Sequence, residues 1–383
     1  MSLTKSIKKA KAQIKRQSKP LWTGPSGEGP NGGVTQGLLG RFLGCRERFR
    51  LHAVEGIRPR DKFSPYLEFG NLWHVCEEHL ASLNKAGGAA WLNEPTALAN
   101  YCKDLSAKYP FQREEIGHWH DVTLALFPEY VAHWSKHPDV LARTPLLQEQ
   151  TFDVLYRLPS GRAVRLRGKW DSVDLVGDGK EAGVWLQENK TKSAISAEKI
   201  EAQLKFDLQT QLYLIALKSA SSSDLAKKGW SNQTVGKGIH DLNTFGAPIK
   251  GIRYNVVRRG AHKTVDSMMK KFGEDSRNGR IGEWFARWNV EVSAADIQRF
   301  KDQTLNPLLE HLCLWYDHVV AGKPFEPRSH TLEGDVSLHW RMPYGVYDPV
   351  AEGGFGDVDA YLDSGSMVGL HRTEVLFPEL EES

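Results

Sequence analysis

Three short groups of residues between 168 and 213 have the types and spacing for chemistry on a phosphate ester: Gly168-Lys169-Trp170-Asp171, Glu188-Asn189-Lys190, and Gln209 with Tyr213 four positions on. Side chains alternate along a strand, so Lys169 and Asp171 share one face and Glu188 and Lys190 share another, the latter with Val184 and Leu186. Residues 162–176 and 183–191 are predicted as consecutive strands. Pairing through the loop at 177–183 would bring Asp171 and Glu188 onto one hard cation. Oxygen donors of this kind suit Mg2+ or Mn2+ better than zinc. Such a cation polarises a phosphodiester and lowers the pKa of a bound water. Lys190, close to both carboxylates, would orient that water and offset charge in the transition state. The chemistry implied is metal-dependent phosphodiester hydrolysis.

Gln209 and Tyr213 fall at i and i+4 and are neighbours on a helix face. The amide offers a donor and an acceptor, and the phenol offers a hydroxyl and a ring able to stack on a base. His74, in FGNLWHVCEEHL, lies on a predicted helix with Gly70, Glu77 and Glu78. A single His there carries meaning only together with the other groups.

The elements that must hold these residues change period along the chain. Residues 1–33 form a basic arm, MSLTKSIKKAKAQIKRQSKP with seven cations and no acid, then a Gly/Pro-rich loop. Such an arm could neutralise DNA phosphates, or simply be a solvated tail. Helical periodicity runs through 34–145, with helices predicted from Thr35, as N-cap, to about 54, and near 66–86, 95–108 and 112–136. Strands follow at 149–158, 162–176 and 183–191, divided by the turn signals Pro-Ser-Gly and Gly-Asp-Gly. One helix is predicted over 196–219, a strand over 251–258, and one long helix over 293–321 capped by Ser293. The order gives an α/β core occupying 146–260, with a helical N-terminal elaboration and a helical and irregular lobe at 261–383 that completes the same domain.

Composition bounds the classes. Of 383 residues, 40% are hydrophobic and 25% charged, as in an ordinary globular chain, and a net charge of +3 does not by itself argue for nucleic acid. The sequence shows no apolar run of membrane-spanning length and no apolar leader. Cys45, Cys76, Cys102 and Cys313 form no CxxC pair, which argues against a disulfide scaffold and a zinc knuckle and for a reducing cytoplasm. No GxxxxGK[ST] motif is present, so unwinding would need a partner.

The ordered set Gly70-x-x-x-His74, Gly168-x-x-Asp171, Glu188-x-Lys190 and Gln209-x-x-x-Tyr213 resembles the RecB-type branch of the PD-(D/E)XK nuclease superfamily, over about 35 to 260. The segment LLGRFLGCRERFRLHAVEGI is similar to the one that opens many members. YNVVRRG, EWFARWNVEV and FPEL resemble phage-encoded exonucleases of this branch. The resemblance implies a restriction-endonuclease-like α/β fold with a core sheet flanked by helices. It implies metal ligands at His74, Asp171 and Glu188, with the Asn189 carbonyl as a further one, and a catalytic Lys190. Gln209 and Tyr213 would orient the DNA strand or support the site, and Arg258 and Arg259 would contact phosphate. Many relatives close a channel with an iron–sulfur cluster held by one Cys before the His motif and three near the C-terminus. Here Cys45 fits the first position, but no cysteine follows Cys313, so no cluster is expected and Cys45 becomes a small buried residue.

The expected activity is therefore a Mg2+- or Mn2+-dependent DNA exonuclease of recombination, repair or phage DNA metabolism, with a recombination or single-strand-binding protein as candidate partner. The alternatives are a structure-specific endonuclease, a RecB-like nuclease of CRISPR adaptation, and, from another class, a DNA-binding protein that has lost catalysis.

Overall fold

The computed structural model describes residues 20–320 and 370–381, apart from 45, 60–62, 86–95, 136, 138–139, 141–142, 178–179, 205–206, 220–248 and 261–263. The basic arm up to residue 19, Cys45 and the stretch 342–365 thus lie outside the described residues.

The chain opens with helix α1 (Gln36–Gly44), a helical turn at Arg46–Phe49, a π-helical turn at Arg50–Val54 and strand β1 (Ile57–Pro59). Helices α2 (Pro65–Lys85), α3 (Thr96–Lys108) and α4 (Arg113–Trp134) follow. Next come strands β2 (Arg143–Arg157), β3 (Ala163–Val176) and β4 (Gly183–Lys192), then helices α5 (Ala197–Leu204) and α6 (Leu208–Ser219). Strand β5 (Ile249–Arg258), helix α7 (Val265–Arg277) and strand β6 (Phe285–Glu291) lead to helices α8 (Ala294–Phe300) and α9 (Asn306–Val320) and strand β7 (Leu370–Arg372).

Local sequence accounts for several boundaries. Thr35 caps α1 as expected, its Oγ1 accepting from Leu38 N at 3.2 Å. Pro65 opens α2, where its missing N–H costs nothing. The single helix expected over 196–219 is instead two. Asp207 caps a new start, its Oδ2 accepting from Thr210 N at 2.9 Å. The helix expected over 293–321 begins at a Ser293 cap, with Oγ accepting from Asp296 N at 3.1 Å. It is then interrupted by a π-helical turn at Lys301–Leu305, next to Pro307, which has no N–H to donate. Helix α7 and strand β6 were not anticipated in the sequence. Among the described residues no helix is long and apolar enough to cross a membrane.

Among the described residues, five strands form the main sheet in the order β2-β3-β4-β5-β6, flanked by helices. β3 and β4 are antiparallel in the register Ser172↔Gln187, which sets Asp171 against Glu188. β4 and β5 run parallel, with Glu188↔Tyr254 and Lys190↔Val256. A parallel neighbour needs a crossover, and α5 and α6 lie in it. β5 and β6 are antiparallel, so β6 closes one edge. β2 forms the other, where Pro145 is tolerated because one side of an edge strand needs no donor.

The chain divides into two compact units. The first is built from the described parts of Met1–Asp61, Asp153–Arg167 and Lys301–Ser383. Its interior is aromatic: Phe49 meets Trp22, Phe42 and Trp315 edge-on. Tyr156 OH donates to Asn306 Oδ1 at 2.7 Å, and β1 pairs antiparallel with β7. The second unit comprises Lys62–Phe152 and Gly168–Phe300 and contains every residue of the site described below. Its core joins α2 and α4 through Phe69, Leu72, Trp73, Trp119, Leu126 and Phe127, all buried. Burial of each such Phe or Leu stabilises the unit by about 1.5–3 kcal/mol. That packing fixes α2, and with it the opposite face of the helix, which carries His74.

Candidate active site

Three strands and two helices converge here. Asp171 projects from β3 and Glu188 from β4, on positions that the register places side by side. Asp171 is 9% exposed and Glu188 is fully buried. Asp171 Oδ2 accepts from the Asn189 backbone N–H at 2.8 Å, which fixes its orientation. Gly168, three residues earlier, is required by close packing. A Cβ there would lie 2.6 Å from the Phe152 ring and 3.1 Å from that of Tyr213.

Glu188 Oε1 pairs with Lys190 Nζ and accepts from Gln209 Nε2 at 2.7 Å. Gln209 Oε1 in turn accepts from Lys190 Nζ at 3.3 Å. The three side chains close a ring of hydrogen bonds. Glu188 Oε2, by contrast, is buried with no hydrogen-bond partner. Burial and the Asp171 charge push the Glu188 carboxyl up to about 7, against the pull of Lys190. For Lys190 burial works against the charge, but Glu188 and Asp171 outweigh it and hold the ammonium protonated. Around Glu188 the site is thus an acidic pocket in which Lys190 offsets part of the charge and Glu188 Oε2 is left without a partner.

α2 delivers His74 to the same place. Its Nδ1 lies 2.8 Å from Glu149 Oε1 and 3.9 Å from Asp171 Oδ2. Burial opposes protonation of the imidazole, yet Asp171 and Glu149 raise its pKa to about 9. Glu149 also holds Lys169, Oε2 to Nζ at 2.7 Å. Burial would raise the Glu149 pKa, but His74 and Lys169 bring it below the usual carboxylate range. Glu149 was not anticipated in the sequence, where it is one more acid at the start of a strand. A backbone signal marks it in the structure: φ is +45°, in the left-handed region that a β-strand Glu rarely adopts.

His74, Glu149 and Asp171 each present a ligand atom within 4.8 Å of the others. With Glu188 Oε2 lacking a partner, the residues fit a hard divalent cation: one imidazole and several carboxylates, in a buried acidic pocket.

The remaining candidates are placed as follows. The Asn189 side chain turns to the other sheet face, where its Oδ1 accepts from Gln187 Nε2 at 3.1 Å and Asn255 Nδ2 at 3.0 Å. Tyr213 is 9% exposed, with its ring edge-on to Phe152 at 5.3 Å. The Tyr213 ring is thus packed in the core beside Phe152. Arg258 turns to Glu283 at 3.7 Å and to the Trp284 ring, 4.9 Å from its centroid. Arg259 lies 3.8 Å above the Tyr66 ring centroid. The structure therefore gathers His74, Asp171, Glu188, Lys190 and Gln209 in one place, and sets Arg258 and Arg259 at the ends of β5 and beyond.

Residues 34–307 match the family model of the PD-(D/E)XK nuclease superfamily. No curated protein matches the chain.

Proposed function

The chain belongs to the PD-(D/E)XK nuclease superfamily, and on that footing we propose that it is an exonuclease of the RecB-type branch, cleaving DNA with Asp171, Glu188 and Lys190. The observation that carries this reading is Glu188: a fully buried carboxylate beside Asp171, one oxygen held by Lys190 and Gln209 and the other without a partner. An arrangement so costly to bury calls for a cation at the open oxygen.

His74, Asp171 and Glu188 would hold a divalent ion, Mg2+ or Mn2+, with Glu149 and the Asn189 carbonyl as further donors. When bound, such an ion supplies Lewis-acid polarisation of the scissile phosphate and a lower pKa for the attacking water. Lys190 stays charged because two carboxylates surround it. Its ammonium orients the water and offsets the charge that develops on the phosphoryl oxygens. Gln209 fixes the Lys190 and Glu188 side chains relative to each other, and Tyr213 backs Gln209 from the core. Arg258 and Arg259 supply positive charge for the DNA backbone at the end of β5.

His74 supports the RecB-type assignment, since it comes from α2, before the sheet, and meets Asp171 across the site. The exonuclease reading is tested with end-labelled linear DNA and covalently closed circles, each given Mg2+. Loss of linear DNA with circles intact is the expected result, and the fate of the label gives the polarity. Cutting of circles would replace it with an endonuclease.

A further inference from the structure

Helix α2 carries three residues of one stripe past the end of β4. His74 meets Glu149 and Asp171 in the site. Gly70, one turn earlier, lies where a Cβ would be 3.5 Å from Thr191 Oγ1, so the helix runs close against the strand there. Tyr66, a further turn back, is 51% exposed and carries the Arg259 guanidinium 3.8 Å from its ring centroid. Spacing of i, i+4 and i+8 keeps all three on one side of the helix.

Arg259 is tied to the same strand end. Its backbone N–H donates to Lys192 O at 2.6 Å, two residues beyond Lys190. Arg259, which covers the Tyr66 ring, and the catalytic lysine are thus tied to one short piece of β4. A half-exposed ring alone would be ordinary. A half-exposed ring layered with a guanidinium, in line with a phosphate-cleaving site, is a flat cationic surface. Nucleobases stack on both aromatic rings and guanidinium planes, and the charge favours the adjoining phosphates. A base inside a duplex has its faces taken by its neighbours, whereas an unpaired base can offer one.

Distance sets the register. Eight residues of helix separate Tyr66 from His74, about 12 Å at 1.5 Å per residue. That span corresponds to a few nucleotides of a single strand. Resting on the nuclease reading above, we infer that Tyr66 and Arg259 form a stacking platform for a base of single-stranded DNA, a few nucleotides from the scissile bond. The enzyme thereby draws a single strand, not an intact duplex, across the end of the sheet.

The test measures binding of a short labelled oligo-dT and of a blunt duplex of equal length, both in chelator so that neither is cut. Tyr66→Ala should weaken single-strand binding by roughly 5- to 150-fold, the range of one lost base stack, and leave duplex binding unchanged. Tyr66→Trp should retain the affinity. Unaltered single-strand binding by Tyr66→Ala, equal losses for both substrates, or failure of the wild-type protein to bind oligo-dT would each overturn the platform. Cleavage assayed in parallel with Mg2+ separates the two readings. Active wild-type enzyme with an unaffected Tyr66→Ala sinks the platform alone, whereas inactive wild-type enzyme removes both.

Discussion

The Gln209 amide nitrogen donates to Glu188 Oε1 at 2.7 Å, from the first turn of a helix that Asp207 starts afresh. Without that break the helix would run straight through 196–219, and Gln209 would be set by the preceding turns rather than by its own cap. The amide carbonyl also receives Lys190 Nζ at 3.3 Å, so one side chain spaces the carboxylate and the ammonium. Gln209→Ala is expected to lower kcat by about 10- to 100-fold, as loss of a group that orients site residues does, with KM little changed. Steady-state kinetics on linear DNA check it. An effect confined to KM would make Gln209 a DNA contact instead.

Gly168→Ala would bring a methyl to 2.6 Å from a Phe152 ring that is itself stacked on Trp170 at 4.6 Å. The ring cannot simply swing aside. Destabilisation of about 1–3 kcal/mol is expected, the usual cost of overpacking, and it should come with lower activity because Asp171 is three residues away. Urea denaturation beside an activity assay measures both. A fully stable variant would mean the ring yields.

Glu149 holds His74 Nδ1 at 2.8 Å, and with Asp171 it raises the imidazole to a pKa of about 9. Glu149→Gln keeps the shape and removes the charge, so the His74 pKa should fall below that value in the metal-free protein. An NMR titration of His74 reads this directly. An unchanged pKa would leave Asp171 as the whole cause.

Much of this site was legible in advance for a simple reason. Strand alternation and a hairpin loop are short-range, so Asp171, Glu188 and Lys190 could be set face to face from spacing alone. His74 followed from its order relative to them. Glu149 could not be found that way. It reaches the site through an unusual φ in β2, and neighbouring polar residues hide it. The break before Leu208 was missed because the apolar periodicity of Ile200, Leu204, Leu208 and Leu212 continues across the Asp207 cap. β6 was missed because FARWNVE on a sheet edge is half-exposed and mixed in polarity, and its pairing with β5 is long-range.

Glu77 gives a pH dependence away from Asp171 and Glu188. It is buried, and burial raises its carboxyl above the ordinary value despite nearby Arg143. The folded protein therefore binds this proton more tightly than the unfolded chain. The stability it contributes is complete below the unfolded pKa, about 4.3, and is lost as pH rises through the higher folded value. Stability of the wild type relative to Glu77→Gln should accordingly fall as pH rises from about 4.3 into the range where the folded-state carboxyl ionises. Denaturation curves for both proteins across that range give the difference. A flat difference would mean that the Glu77 charge is fully compensated.

The central claim is that Asp171, Glu188 and Lys190 cut DNA with a divalent cation. Its most direct test is hydrolysis of end-labelled linear DNA by wild type, Asp171→Ala and Lys190→Ala, each with Mg2+, Mn2+ or chelator, after checking that all three are folded. The account predicts cleavage by the wild type only, and only with metal. Cleavage that survives chelator, or that persists in folded Lys190→Ala at the wild-type rate, would contradict it.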